Sequence, residues 1–270
     1  MPKEDIMARF CTLFSGSSGN STWIGTSDSA VLVDAGRSCK QLLGAMAARG
    51  IDPKSIGAVL VTHEHTDHVS GLRVLLKKLQ VPLYASAEVL DRLRWEGVLS
   101  QEQKTVAVNG GDRFPVGSFA VDAFDTPHDS VHSLGYRFEA PDGRRMAVST
   151  DLGYISDSVR EKLLGCDLVL LESNYDRSML SVSAYPYYLK RRIASNIGHL
   201  SNEDCAAELI PLVRNGSTRF ILGHLSQNNN MPEIARQTAM AAFAAAGMRE
   251  GIDFSLQVAP RSEPSEMVIL

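Results

Sequence analysis

The stretch VTHEHTDH, residues 61–68, puts four potential metal ligands, His63, His65, Asp67 and His68, within six residues. It continues the apolar run AVL and leads into DHVSGLRVLLKKLQ, whose apolar positions recur with helical spacing. The cluster therefore sits at a strand-to-helix turn. Residues two apart on a strand share a face, and a turn swings the following Asp and His to another side, so such a cluster can serve two adjacent metal ions. The plain alternative is a polar loop with incidental histidines, and the density of imidazoles argues against it.

Around this stretch the chain changes grammar several times. RFCTLF, STWIG and AVLVDAG read as short strands broken by the turn SGSSGNS. CKQLLGAMAARG, DHVSGLRVLLKKLQ and AEVLDRLRWEG read as helices separated by AVLVTH and VPLYAS. Residues 104–150 return to strands, with PDG marking a tight turn. The last third alternates again: helix SDSVREKLLG, strand CDLVLLES, helices YYLKRRIAS and NEDCAAELIPLVR, strand RFILGH, helix PEIARQTAMAAFAAAG and strand FSLQVA. The order predicts an α/β fold of two similar halves, each a sheet with helices on one face, packed as a four-layer sandwich. Without a low-complexity linker, residues 1–270 read as one domain.

The other histidines are His128, His132, His199 and His224. His128 and His224 end apparent strands, and Asp151 ends a third. If these ends gather at one edge, as ligand sites in open α/β sheets do, His63, His65 and His128 make one ligand set. Asp67, His68 and His224 then make a second, with Asp151 between them. Imidazole-rich sites suit Zn, with Mn or Fe as alternatives. Two ions sharing a carboxylate can hold a hydroxide nucleophile at neutral pH, which is hydrolytic chemistry.

HxHxDH followed by His128, Asp151 and His224 resembles the metallo-β-lactamase superfamily. The resemblance implies an αββα sandwich with a binuclear site, and an Asp34 that orients the ligand loop without binding metal. A turn-forming aspartate is the other reading of Asp34. SGSSGNS, PHDSVHSLGYRF, LLESNYD, GHLSN and HLSQNNNMPE together resemble the YycJ (WalJ) branch, which is associated with DNA exonuclease or phosphodiesterase activity. Asp67 in the motif disfavours a β-lactam substrate. The lack of a large insertion or long arm disfavours ribonuclease J-type work and tRNA maturation.

These likenesses focus the reading of the flanking residues. Ser15, Ser17, Ser18 and Asn20 in SGSSGNS form either a hairpin turn or an anion-binding nest. Lys190, Arg191 and Arg192, after the aromatic run YPYY, read as a solvated helix face or as phosphate contacts beside base-stacking tyrosines. His132 and Asn174 read as substrate or ligand-orienting contacts, or as structural polar groups. The word GHLS occurs twice, at 198–201 and 223–226. His224 follows a buried strand and is expected on metal. His199 follows a loop, and Ser201 with Asp204 reads as a capping box opening the next helix. His199 is expected to contact phosphate or donate a proton, with Asp67 and His132 as further catalytic candidates and Ser201 near the substrate.

The formal net charge of −4 gives no overall footprint for nucleic acid, although a local patch suffices. Cys11, Cys39, Cys166 and Cys205 are scattered without a CxxC pair, and the start MPKEDIMARF lacks a leader-like apolar core. A reduced cytoplasmic setting is expected, with no membrane contact, and a homo-oligomer is compatible with the sequence. The leading reading is a two-metal phosphodiesterase or nuclease acting on nucleic acid, DNA ahead of RNA. An ester, thioester or lactone hydrolase is the alternative. A metal-stabilised regulatory protein without turnover is the third reading.

Overall fold

The computed structural model describes residues 7–270. The start MPKEDI, part of the segment read as lacking a leader, lies outside the described residues. The chain divides into two compact units. The first comprises residues up to Asp125, Ser130–Arg144 and Pro260–Leu270; the second comprises Thr126–Asp129 and Arg145–Ala259.

In the first unit the apolar runs form strands β1 (Arg9–Phe14), β2 (Ser21–Gly25) and β3 (Ala30–Val33), with β2 antiparallel to both neighbours. Strands β4 (Ile56–Leu60), β5 (Leu83–Ala85) and β6 (Thr105–Ala107) continue the sheet in parallel. Parallel neighbours need crossover connections. Here these are α1 (Cys39–Ala48), then α2 (Thr66–Val69) with α3 (Leu72–Leu79), then α4 (Ala87–Trp95). Leu42, Met46, Leu72, Leu75, Val89 and Leu93 on these helices join one core with the sheet, each fully buried leucine contributing roughly 1.5–3 kcal/mol. The tail SEPSEMVIL supplies the last strand, β14 (Val268–Ile269), antiparallel to β1. It thus adds a strand to the chain's own sheet.

The segment expected as one helix from Asp67 is two. The break falls at Gly71, whose N–H donates to the Ala35 carbonyl at 2.8 Å. A Cβ on Gly71 would stand 1.9 Å from the Arg37 carbonyl oxygen, so the helix is interrupted where it meets the β3–α1 connection. Strands β7 (Arg113–Val116), β8 (Phe119–Asp125) and β9 (Leu134–Glu139) form an antiparallel meander in the same unit. The Tyr136 hydroxyl donates to the Val61 carbonyl at 2.8 Å, and Leu134 N–H donates to Thr62 at 3.0 Å. The meander is thereby tied to the chain just before His63.

In the second unit β10 (Arg145–Ser149), β11 (Leu168–Glu172), β12 (Arg219–Gly223) and β13 (Ser255–Val258) pair in parallel in chain order. The all-apolar character of LVLL and FIL fits strands covered on both faces. Helix α5 (Asp157–Leu163) connects the first pair. A longer excursion through α6 (Arg177–Val182), α7 (Tyr187–Ile193) and α8 (Asn202–Arg214) connects the second, and α9 (Pro232–Ala245) the third. Helix α6 was not foreseen; it is short, and the Asp176 side chain caps it by accepting from Met179 N–H. Ser201 caps α8 as expected, accepting from Asp204 N–H at 3.1 Å.

The four cysteines are buried and none is in a disulfide. Among the described residues no helix is long and apolar enough to cross a membrane. Gly71→Ala is expected to destabilise the protein by about 1–3 kcal/mol through overpacking against a backbone carbonyl. Urea unfolding would measure this; an unchanged midpoint would contradict the close approach.

Candidate active site

In the first unit β4 delivers the chain through Val61 and Thr62 to His63. Asp34 ends β3 in the left-handed region at φ 62° and is 3 % exposed. Its Oδ1 accepts from Thr62 N–H at 2.8 Å and its Oδ2 from His68 Nδ1 at 2.8 Å. Asp34 therefore orients the ligand loop, as the resemblance implied. The His63 Nε2 and His65 Nδ1 nitrogens converge at 3.0 Å, and the His63 and His68 ring centroids lie 4.1 Å apart. His65 is the N-cap of α2, so Asp67 and His68 fall in its single turn. The strand-then-turn reading of the motif holds within this unit.

Asn20 is built into that loop. Its backbone N–H donates to the Asp67 carbonyl at 2.7 Å, and its Nδ2 lies 3.3 Å from Asp67 Oδ2 and 3.0 Å from His68 Nε2. Its Oδ1 accepts from Gly16 N–H, so SGSSGNS braces the ligands. A Cβ on Gly36 would stand 1.7 Å from the Asp67 carbonyl oxygen; only glycine allows this approach. Ser15 is buried, whereas Ser17 and Ser18 are exposed and Ser18 accepts from Arg37. His132 is held between Asp125 at 2.8 Å and Glu88 at 3.0 Å. Burial disfavours its charged form, yet the two carboxylates outweigh this and raise its pKa.

In the second unit three adjacent parallel strands end in polar residues: Asp151 two positions after β10, Glu172 closing β11, and His224 just after β12. Asp151 and His224 both adopt positive φ, 58° and 53°, a conformation rare for non-glycine residues and enriched at functional sites. Glu172 is fully buried. Its Oε1 accepts from His224 Nδ1 at 2.7 Å and from His199 Nδ1 at 2.9 Å; its Oε2 accepts from Leu152 and Leu200 N–H, each at 3.0 Å. Burial opposes ionisation of Glu172, but the two imidazoles prevail and hold its carboxyl below the usual range.

Asp151 Oδ1 lies 3.3 Å from His224 Nδ1 and 3.7 Å from His128 Nε2. His128 Nδ1 donates to the Gly198 carbonyl at 2.9 Å, and burial pushes its pKa down, favouring the neutral ring that a metal requires. One ligand atom each from Asp151, Glu172, His199 and His224 lies within 4.8 Å of the others. The donor chemistry fits divalent metal. His68, His128, His199 and His224 each engage Nδ1 with a carboxylate or carbonyl, which makes Nε2 the lone-pair nitrogen in the manner of oriented ligand histidines.

Two features of this unit were not foreseen. In LLESNYD the sequence points to Asn174, whereas the site residue is Glu172, whose signal is an acidic residue ending a fully apolar strand. Asn174 instead donates from Nδ2 to the His224 carbonyl at 2.8 Å. The run NNN proves to be a brace: Asn230 Nδ2 donates to the Ser173 carbonyl and to Asn202 Oδ1, each at 2.8 Å. Ser201 is fully buried and its hydroxyl serves the cap. Of the basic run, Arg192 is paired with Asp129, while Lys190 donates to the Ser181 carbonyl.

A family profile described as "Beta-lactamase superfamily domain" matches residues 29–225. The chain belongs to the metallo-β-lactamase superfamily. Within the superfamily it is 36% identical over 256 residues to exodeoxyribonuclease WalJ of Streptococcus pneumoniae, covering 94% of each chain. It is 33% identical over 259 residues to exodeoxyribonuclease YycJ of Bacillus anthracis, covering 96% of this chain and 97% of that one. The metallo-β-lactamase fold protein YhfI of Bacillus subtilis superposes with a TM-score of 0.72 at 16% identity, covering 96% and 99%. The superfamily fold expected from the sequence is thus confirmed, and this member is a metal-dependent hydrolase.

Glu172→Gln keeps the shape but loses the charge that accepts four N–H groups. It is expected to weaken metal affinity about 10–100-fold, measured by competition with a chromophoric chelator. Native affinity in this variant would remove Glu172 from the site.

Proposed function

We propose that this protein is a metal-dependent exodeoxyribonuclease that hydrolyses phosphodiester bonds of DNA in the cytoplasm. The observation that carries the reading is the likeness, over nearly the full length, to two proteins named as exodeoxyribonucleases. The donor residues within each unit support it: His63, His65, Asp67 and His68 in the first, and His128, Asp151 and His224 in the second. Zn suits these imidazole-rich sets, with Mn or Fe as alternatives. A pair of divalent ions bound by these residues would supply a nucleophile at neutral pH and offset charge developing at phosphorus.

The chain's own residues then have separate tasks. Asp34 and Glu172 fix the tautomers of His68 and His224. His199, fixed by the same Glu172 oxygen, presents Nε2 as the atom that takes up or donates a proton to the leaving oxygen or contacts the phosphate. Its backbone N–H is bound to the Ile193 carbonyl at 2.9 Å, which adds rigidity to its position in the loop before α8.

Purified protein with Zn or Mn should release nucleotides from end-labelled DNA and hydrolyse bis-p-nitrophenyl phosphate, with no comparable turnover of a thioester. His68→Ala should lose metal and activity together. His199→Ala should keep metal and lose roughly 10²–10⁴-fold in turnover. Absence of turnover on every phosphodiester would contradict the reading, and equal metal loss in the two variants would contradict the separation of roles.

A further inference from the structure

The second unit carries a groove that the metal-ligand reading leaves unused. It lies among α5, α6, α7 and α8 and has a volume of about 1330 Å³, above the roughly 300–1,000 Å³ of ordinary small-molecule sites. Its lining holds four cations, Arg160, Arg177, Lys190 and Arg191, against two carboxylates, Asp204 and Glu208. The surrounding chain is acidic overall, at −4. Arg160 is bound by Glu208 at 2.8 Å and Arg177 by Asp204 at 2.6 Å. The local surplus therefore rests on Lys190 and Arg191, in the last turn of α7.

Four tyrosines line the groove, Tyr154, Tyr175, Tyr185 and Tyr187, and two of them are exposed. Tyr187 is 75 % exposed and Tyr154 is 46 % exposed, and the Arg191 guanidinium lies 5.9 Å from the Tyr187 ring centroid. Exposed tyrosines beside unneutralised cations are the elements of a stacking platform for unpaired bases with an adjoining phosphate track. The groove also shares backbone segments with the site. Gly153 and Leu200 line it, and the backbone N–H groups of Leu152 and Leu200 are both held by Glu172 Oε2. One wall of the groove is thus formed by the two loops that carry Asp151 and His199.

We propose that this groove binds the single-stranded end of a DNA substrate, with Tyr154 and Tyr187 stacked on bases and Lys190 and Arg191 on phosphates. The proposal rests on the nuclease reading above. A duplex keeps its internal base faces stacked and exposes one face at each end, so only an unpaired strand offers successive bases to both tyrosines.

Fluorescence anisotropy of a phosphorothioate-linked oligothymidine 12-mer, with the full-length metal-loaded protein, tests this without cleavage. Tyr154→Ala with Tyr187→Ala is expected to weaken binding about tenfold or more, with far-UV circular dichroism confirming the fold. Binding of a blunt duplex should change less than about threefold, since base stacking is what the variant removes. Lys190→Gln with Arg191→Gln should reduce the slope of log affinity against log salt by roughly one to two. Native affinity in the tyrosine variant, or an equal loss for duplex, would overturn the proposal. Tighter binding of an oligouridine would make the occupant RNA and overturn the DNA assignment. Hydrolysis of bis-p-nitrophenyl phosphate by the native protein tests the nuclease reading separately; its absence would overturn that reading, while the anisotropy result decides the groove by itself.

Discussion

A carboxylate removed from water stays ionised only when hydrogen-bond donors replace its hydration. Glu172 meets that condition with two imidazoles and two backbone N–H groups. Those four donors come from the loops after β10 and β12 and from the loop before α8, so satisfying one charge fixes three loops at the end of a parallel sheet. Asp34 applies the same device in the other unit, taking Thr62 N–H and His68 Nδ1. In both places a buried acid determines which imidazole nitrogen bears the proton. Metal chemistry depends on that choice, because only the lone-pair nitrogen can ligate.

The backbone carries a cost for this arrangement. Asp34, Asp151 and His224 hold positive φ without being glycines, at about 1–2 kcal/mol each relative to ordinary conformations. They persist because the strands leading into them are pinned in register: Glu172 pairs with Gly223, and Ser149 with Leu171. The Asn174 and Asn230 amides bind the chain following β12 and β11, at the His224 and Ser173 carbonyls, and Asn230 is held in turn to Asn202. Hydrophobic strands thus provide rigidity, and polar groups at their ends convert it into ligand direction.

Legibility in the sequence followed the range of the interactions. HxHxDH was readable because its residues are local and the strand and helix periods around it are clear. The strands before His128, Asp151 and His224 were readable from apolar runs that stop abruptly. Glu172 was not, since its partners lie 27 and 52 residues away and no periodicity links them. The break before α3 was hidden for a similar reason: Gly71 is intolerable to a side chain only because the Arg37 carbonyl faces it. The two GHLS words differ less than their surroundings suggested, for His199 and His224 share one acceptor oxygen. What separates them is support: His224 follows β12 directly, whereas His199 stands two residues before the cap of α8.

The central claim is that buried carboxylates set the histidine tautomers before any metal arrives. Long-range ¹H–¹⁵N correlation spectra of metal-free protein, recorded above the histidine titration range, measure this directly. His68, His199 and His224 should each show a protonated Nδ1 and an unprotonated Nε2. Protonation at Nε2 in His199 and His224 would contradict the account.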